Sequence, residues 1–183
     1  MILMKERVGK LIECVQELIY SKKFPITEYR MKKVQERYTD ISGIDTSDWE
    51  LLNNRDIWGG HREFFYFETV VTVPEECDGR TLVYELRTGR EGEWDAVNPQ
   101  FLAYVNGESR QGLDVNHREI LLAEHAKAGD TYTILLSAFT GDNNFSLHMD
   151  SEIKILERAV EKYYYDLKVP YEVARLLEKD SAE

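Results

Sequence analysis

Cysteine is scarce: Cys14 and Cys77 are the only two in 183 residues. Cys14 lies among apolar residues at helical spacing and Cys77 beside a turn. Neither a disulfide framework nor a thiolate metal site is indicated, and a reducing, cytoplasmic setting is expected. Basic runs are missing too. With a net charge of −11 and no run of five or more Lys or Arg, the chain gives nucleic acid or an anionic membrane no electrostatic footing. No window approaches the ~20 apolar residues that cross a bilayer, and "MILMKERVGK" holds no apolar core of signal-peptide length. There is no G-x-S-x-G elbow and no Cys with an evident His partner, so no nucleophile of recognisable type is offered. The stretch "TGREGEW" (88–94) has two glycines and an arginine but not the G-x-x-x-x-G-K-[ST] pattern, which sets a phosphate loop aside.

What is present is enough for one packed core. The hydrophobic fraction is 43 %, and Tyr 11, Phe 7 and Trp 3 lean the chain towards β-structure. Val8, Leu11, Ile12, Val15, Leu18 and Ile19 fall at steps of three and four, which predicts a helix over 4–21. After Pro25 and a Thr27 cap, Met31, Val34 and Tyr38 predict a second, thinner helix over 28–38. The period then changes. "FFYFETVVTV" (64–73) reads as a strand ended by Pro74, "CDGR" and Asn106-Gly107 read as hairpin turns, and "FSLHMDSEIKIL" (145–156) reads as one long strand. About seven strands are expected over 62–156, with turns at sandwich spacing and no crossover helices. This predicts a mainly β fold: an antiparallel jelly-roll β-sandwich, galactose-binding-like, flanked by N-terminal and C-terminal helices. The parts expected are an N-terminal helical segment packing on the sandwich (1–48), the sandwich (49–156), and a helical linker (157–183) that breaks at Pro170.

Candidate chemistry concentrates in "DVNHRE", where Asp114, His117 and Glu119 have metal-ligand types and His148 with Asp150 repeats the theme later. In an extended segment His117 and Glu119 would point one way and Asp114, Asn116 and Arg118 the other, so no face would hold three ligands. A polar turn satisfied by its own backbone is the simpler reading. Trp94, Tyr104, Trp58 and His61 are a possible aromatic platform for a sugar ring, against core packing as the commoner use of such residues. Carboxylate pairs for glycoside hydrolysis are uninformative among 34 acidic residues until their separation is known.

Two stretches carry a family resemblance. "WELLNNRDIWGGHREFFYFETVVTVPEECDGRTLVYEL" (49–86) and "FLAYVNGESRQGLDVNHREILL" (101–122) resemble, in order, the N-terminal domain of glycoside hydrolase family 38 α-mannosidases of the long, cytosolic and bacterial type. The resemblance implies a non-catalytic sandwich that supports or shapes a separate zinc-dependent, retaining catalytic domain cleaving terminal α-D-mannosides. The H-x-D motif of that zinc site is absent, so catalytic and metal residues are expected to be none in this chain. No cofactor is expected in these residues, with zinc expected in the catalytic part beyond Glu183. The implied partner is that catalytic domain, with Val173, Leu176 and Leu177 of the last helix awaiting a neighbour. The alternative is a carbohydrate-binding module for mannosides. Trp94, Asp114, Asn116, His117 and Glu119 are then the expected carbohydrate or interdomain contacts.

Overall fold

A computed structural model describes the chain except Met1, Thr39, Ser42, Asn54, residues 94–97 and residues 181–183. Its elements run α1 (Ile2–Glu17), β1 (Tyr20–Ile26), β2 (Glu28–Val34), β3 (Glu50–Asn53), β4 (Trp58–Gly60), β5 (Phe64–Thr72), β6 (Leu82–Arg87) and β7 (Gln100–Val105). They continue with β8 (Glu108–Leu113), β9 (Glu119–Ala123), β10 (Thr131–Phe139), β11 (Phe145–Leu147), β12 (Asp150–Leu156) and α2 (Arg158–Asp180). One sheet has the order β1-β12-β6-β9, a second β3-β2-β5-β10-β7-β8, and β11 pairs with β4 in a small third. The fold is mainly β, with antiparallel sheets in a sandwich of jelly-roll, galactose-binding-like type and a helix near each end of the chain.

Residues 23–154 form one compact unit. In β5 the period of two sends Phe65, Phe67 and Val71 inward while Val70 stays 59 % exposed. Their register partners on β10, Ala138 opposite Phe65 and Leu136 opposite Phe67, are fully buried. Trp58 closes this layer edge-on to Phe65, Phe67 and Phe101, with centroids 5.3, 4.7 and 5.9 Å away. Each such ring or branched side chain contributes roughly 1.5–3 kcal/mol by leaving water. A polar pin joins the two sheets: the Tyr29 hydroxyl on β2 lies 2.8 Å from Tyr84 Oη on β6 and 2.5 Å from Ser151 Oγ on β12. Residues 1–22 and 155–183 form the other unit. Within it α1 buries Ile12 and Val15, α2 buries Tyr164, and Gly9 lets the Tyr171 hydroxyl come so close that a Cβ would stand 3.0 Å away.

Four sequence expectations need correction. Residues 28–34 form β2, not a helix. Lys, Arg, Met and Glu favour helix on their own, but pairing with β3 and β5 and burial of Tyr29 at 1 % exposure outweigh that weak preference. The chain also changes sheet after "CDGR", because β5 and β6 lie in different sheets, so this is a turn but not a hairpin. "FSLHMDSEIKIL" is two strands, β11 and β12, in different sheets. Leu147 and Met149, which one strand would send to the same face, are each fully buried around a bend where the His148 ring lies on Gly89. Finally, α2 runs through Pro170. Pro170 and Asp166 are both exposed, so water can reach the carbonyl that the missing N–H leaves free. The Asn106-Gly107 hairpin is as expected, with φ of 53° and 81°.

Candidate functional site

The turn between β8 and β9 gathers the polar residues singled out in the sequence. Asp114 Oδ1 accepts the backbone N–H groups of Asn116 and His117, each at 2.7 Å, while Asp114 N donates to His117 O at 2.9 Å. His117 Nδ1 lies 3.2 Å from both Asp114 oxygens. Strict face alternation does not apply, because 114–118 is not extended, and Asp114 and His117 converge. Burial works to raise the Asp114 carboxyl, and the bonds from His117 and Asn116 more than offset it, so it lies below the usual range. The Asp114 oxygens are thus engaged within the turn. Among the described residues no group of three or more His, Cys, Asp or Glu is placed to hold a metal.

Glu119 leaves this turn and joins a different cluster. On β6 and β9 Glu85 stands directly opposite Glu119, an unfavourable like-charge pair on its own. Lys154 from β12 resolves it: Nζ lies 2.9 Å from Glu85 Oε2 and 2.5 Å from Glu119 Oε1. Arg87 Nη2 adds a 2.7 Å bond to the same Glu85 oxygen. Alternation along β6 and β12 directs Glu85 and Lys154 away from the Tyr29 pin, yet their side chains are only 4 % and 2 % exposed. Burial pushes the Glu85 carboxyl up, but the Lys154 and Arg87 contacts hold it below the ordinary carboxylate value. A glycosidase acid needs the opposite, a carboxyl kept protonated by its surroundings. The two carboxylates are brought together around one ammonium, and Glu85 is held on the ionised side, which suits a structural ion cluster.

Sequence reasoning placed Glu119 in the turn and missed Glu85 and Lys154. Their signal was present: a single charge inside the apolar runs "LVYEL" and "IKIL" requires a partner once the strands pack. The aromatic platform is not assembled. Trp58 is in the core at 4 % exposure. His61 is exposed, with Nδ1 2.6 Å from Asp142 O, and Tyr104 points outward from β7. Trp94 lies outside the described residues. A cleft of about 430 Å³ opens beside the β1–β2 corner and is lined by none of the predicted residues.

No protein-family model and no curated protein sequence matches the chain. Solved structures do match its fold. A β-glucuronidase of Faecalibacterium prausnitzii aligns with a TM-score of 0.53 and 9 % identity, covering 75 % of this chain and 32 % of that one. A Ruminococcus gnavus β-glucuronidase in complex with D-glucuronic acid gives 0.53 and 11 %, covering 75 % and 30 %. A glycosyl hydrolase family 2 member from Bacteroides cellulosilyticus gives 0.52 and 8 %, covering 73 % and 20 %. The chain thus spans about a third or less of the length of these enzymes.

These neighbours overturn the resemblance to family 38 α-mannosidases. The motifs that carried it are ones the backbone demands. Gly59 has φ +123°, and a Cβ there would stand 2.3 Å from Phe145 O. Gly60 and Gly107 also take positive φ, and Asp114 closes its turn. Such residues mark tight places in a sandwich and identify no mannosidase. The zinc expectation rested on that resemblance alone and goes no further.

Proposed function

We propose that the chain is a non-catalytic β-sandwich module of a glycoside hydrolase, and that its role is to support the catalytic part of a longer polypeptide. The observation that carries this reading is the shared fold with glycosidases of whose length it covers about a third or less. The setting of Glu85 supports it: the Lys154 and Arg87 contacts hold its carboxyl below the ordinary value, the opposite of what proton donation needs, and its register partner Glu119 is tied to the same Lys154. A sugar-binding platform has less support, since Trp58 is committed to the core.

Incubating the 183-residue chain with a panel of aryl glycosides, β-glucuronide included, is expected to release no phenol above the buffer rate. Turnover by purified chain that vanishes in Glu85→Gln would overturn the reading. In the natural gene product, deleting residues 23–154 is expected to lower glycoside hydrolysis or its thermal persistence. An enzyme unimpaired by that deletion would also overturn it.

A further inference from the structure

The cleft beside the β1–β2 corner is a place where a sheet is left open. β2 pairs with β5 only from Arg30 opposite Glu68 to Val34 opposite Phe64. Beyond Arg30 the chain turns at Thr27 into β1, which belongs to the other sheet. β5 runs on to Thr72, paired with β10 on its far side. On the near side, among the described residues, no strand pairs with Val70, Val71 and Thr72. The gap between this stretch and β1 is the cleft of about 430 Å³, within the range that holds small ligands or short chain segments.

Its walls differ in what they can do. Pro25 stands in β1, which is an edge strand, and has no N–H to offer an incoming chain. The open wall is therefore β5, whose backbone groups can pair. Tyr29 and Ile153, both buried, and Val71 supply apolar lining. At the mouth the polar groups are unequally occupied. Glu68 accepts the Thr46 hydroxyl at 2.6 Å, and Arg30 reaches Ser47 O at 3.4 Å. The exposed Glu28 carboxylate has no hydrogen-bond or ion-pair partner among the described residues, and its main-chain oxygen takes Thr69 Oγ1 at 3.1 Å. The whole chain carries −11, so its field favours an occupant of opposite sign.

We infer that this cleft accepts an extended peptide segment of a partner protein, which pairs with Val70–Thr72 as an added strand and places a lysine or arginine at Glu28. Backbone pairing supplies attachment, and the basic side chain supplies selection. The inference stands on the open strand and its unpaired carboxylate and does not depend on the glycosidase reading.

The probe is an acetylated, amidated Thr-Val-Lys-Val-Thr peptide titrated into the ¹⁵N-labelled full chain. Amide shifts are expected at Val70–Thr72 and Phe24–Glu28. Alternate backbone N-methylation of the peptide in one of its two registers should abolish them. Replacing the peptide lysine by glutamate should weaken binding about threefold, as one exposed ion pair allows, and Glu28→Lys in the protein should reverse that preference. Four outcomes overturn the inference: no shift at millimolar peptide, shifts confined elsewhere, binding unaffected by either N-methylated register, or displacement of the peptide by glucuronic acid acting on the same amides. The last result would assign the cleft to sugars.

Discussion

At the scale of single residues, the hydroxyl of Tyr29 shows how one polar atom binds two sheets. Burial pushes this phenol up to about 12, so it stays protonated and can donate to one neighbour while accepting from the other. Tyr29→Phe removes the shared partner of Tyr84 and Ser151, each nearly fully buried. A loss of about 1–3 kcal/mol is expected from urea unfolding, since two buried hydroxyls are left to find new partners. A change below a few tenths would mean that the pin adds nothing. Asp114 offers the contrast: its bonds are as short, but they lie in an exposed turn, so they shape the β8–β9 connection more than they stabilise the core.

At the scale of elements, period and turn chemistry made β5, α1 and the Asn106-Gly107 hairpin legible from sequence, because each follows from local alternation or a positive φ. β2 was not legible. Its residues favour helix, and only pairing with β3 and β5 overrides them. The three-residue β4 was also hidden, being too short for any periodicity, although its glycines register the contact that creates it. Gly59→Ala tests that contact. A methyl there would press on Phe145 O, a backbone atom that cannot swing aside, at a φ that disfavours any side chain. A loss of roughly 1–3 kcal/mol is expected, with amide shifts confined to the β4–β11 ribbon. Unchanged stability would show that the ribbon gives way freely.

At the scale of the whole molecule, the buried ions set the response to acid. Glu85 is held below its reference value of 4.5 in the folded state, so it binds protons less readily there than in the unfolded chain. Its contribution is therefore complete above the unfolded value and is lost as the pH falls through the folded one. Glu85→Gln should cost roughly 1.5–3 kcal/mol at neutral pH, since Lys154 keeps Glu119, and the gap from the parent should narrow in urea titrations near pH 3. Adding Lys154→Met to that variant should recover part of the loss, because the ammonium no longer lies buried with only one of its two carboxylate partners. A gap independent of pH would remove the linkage.

The sequence by itself determined the β-rich sandwich, the first helix and the self-closing turn at Asp114, because these depend on alternation, spacing and side chains that bond to their own backbone. Tertiary structure alone decided that Glu119 faces Glu85 across a lysine 35 residues along the chain, that Trp58 lies in the core, and that β5 outruns its neighbour. Such facts depend on which strands lie side by side. Strand neighbours come from packing over the whole unit, and a local pattern fixes the faces of a strand without naming what will stand beside it.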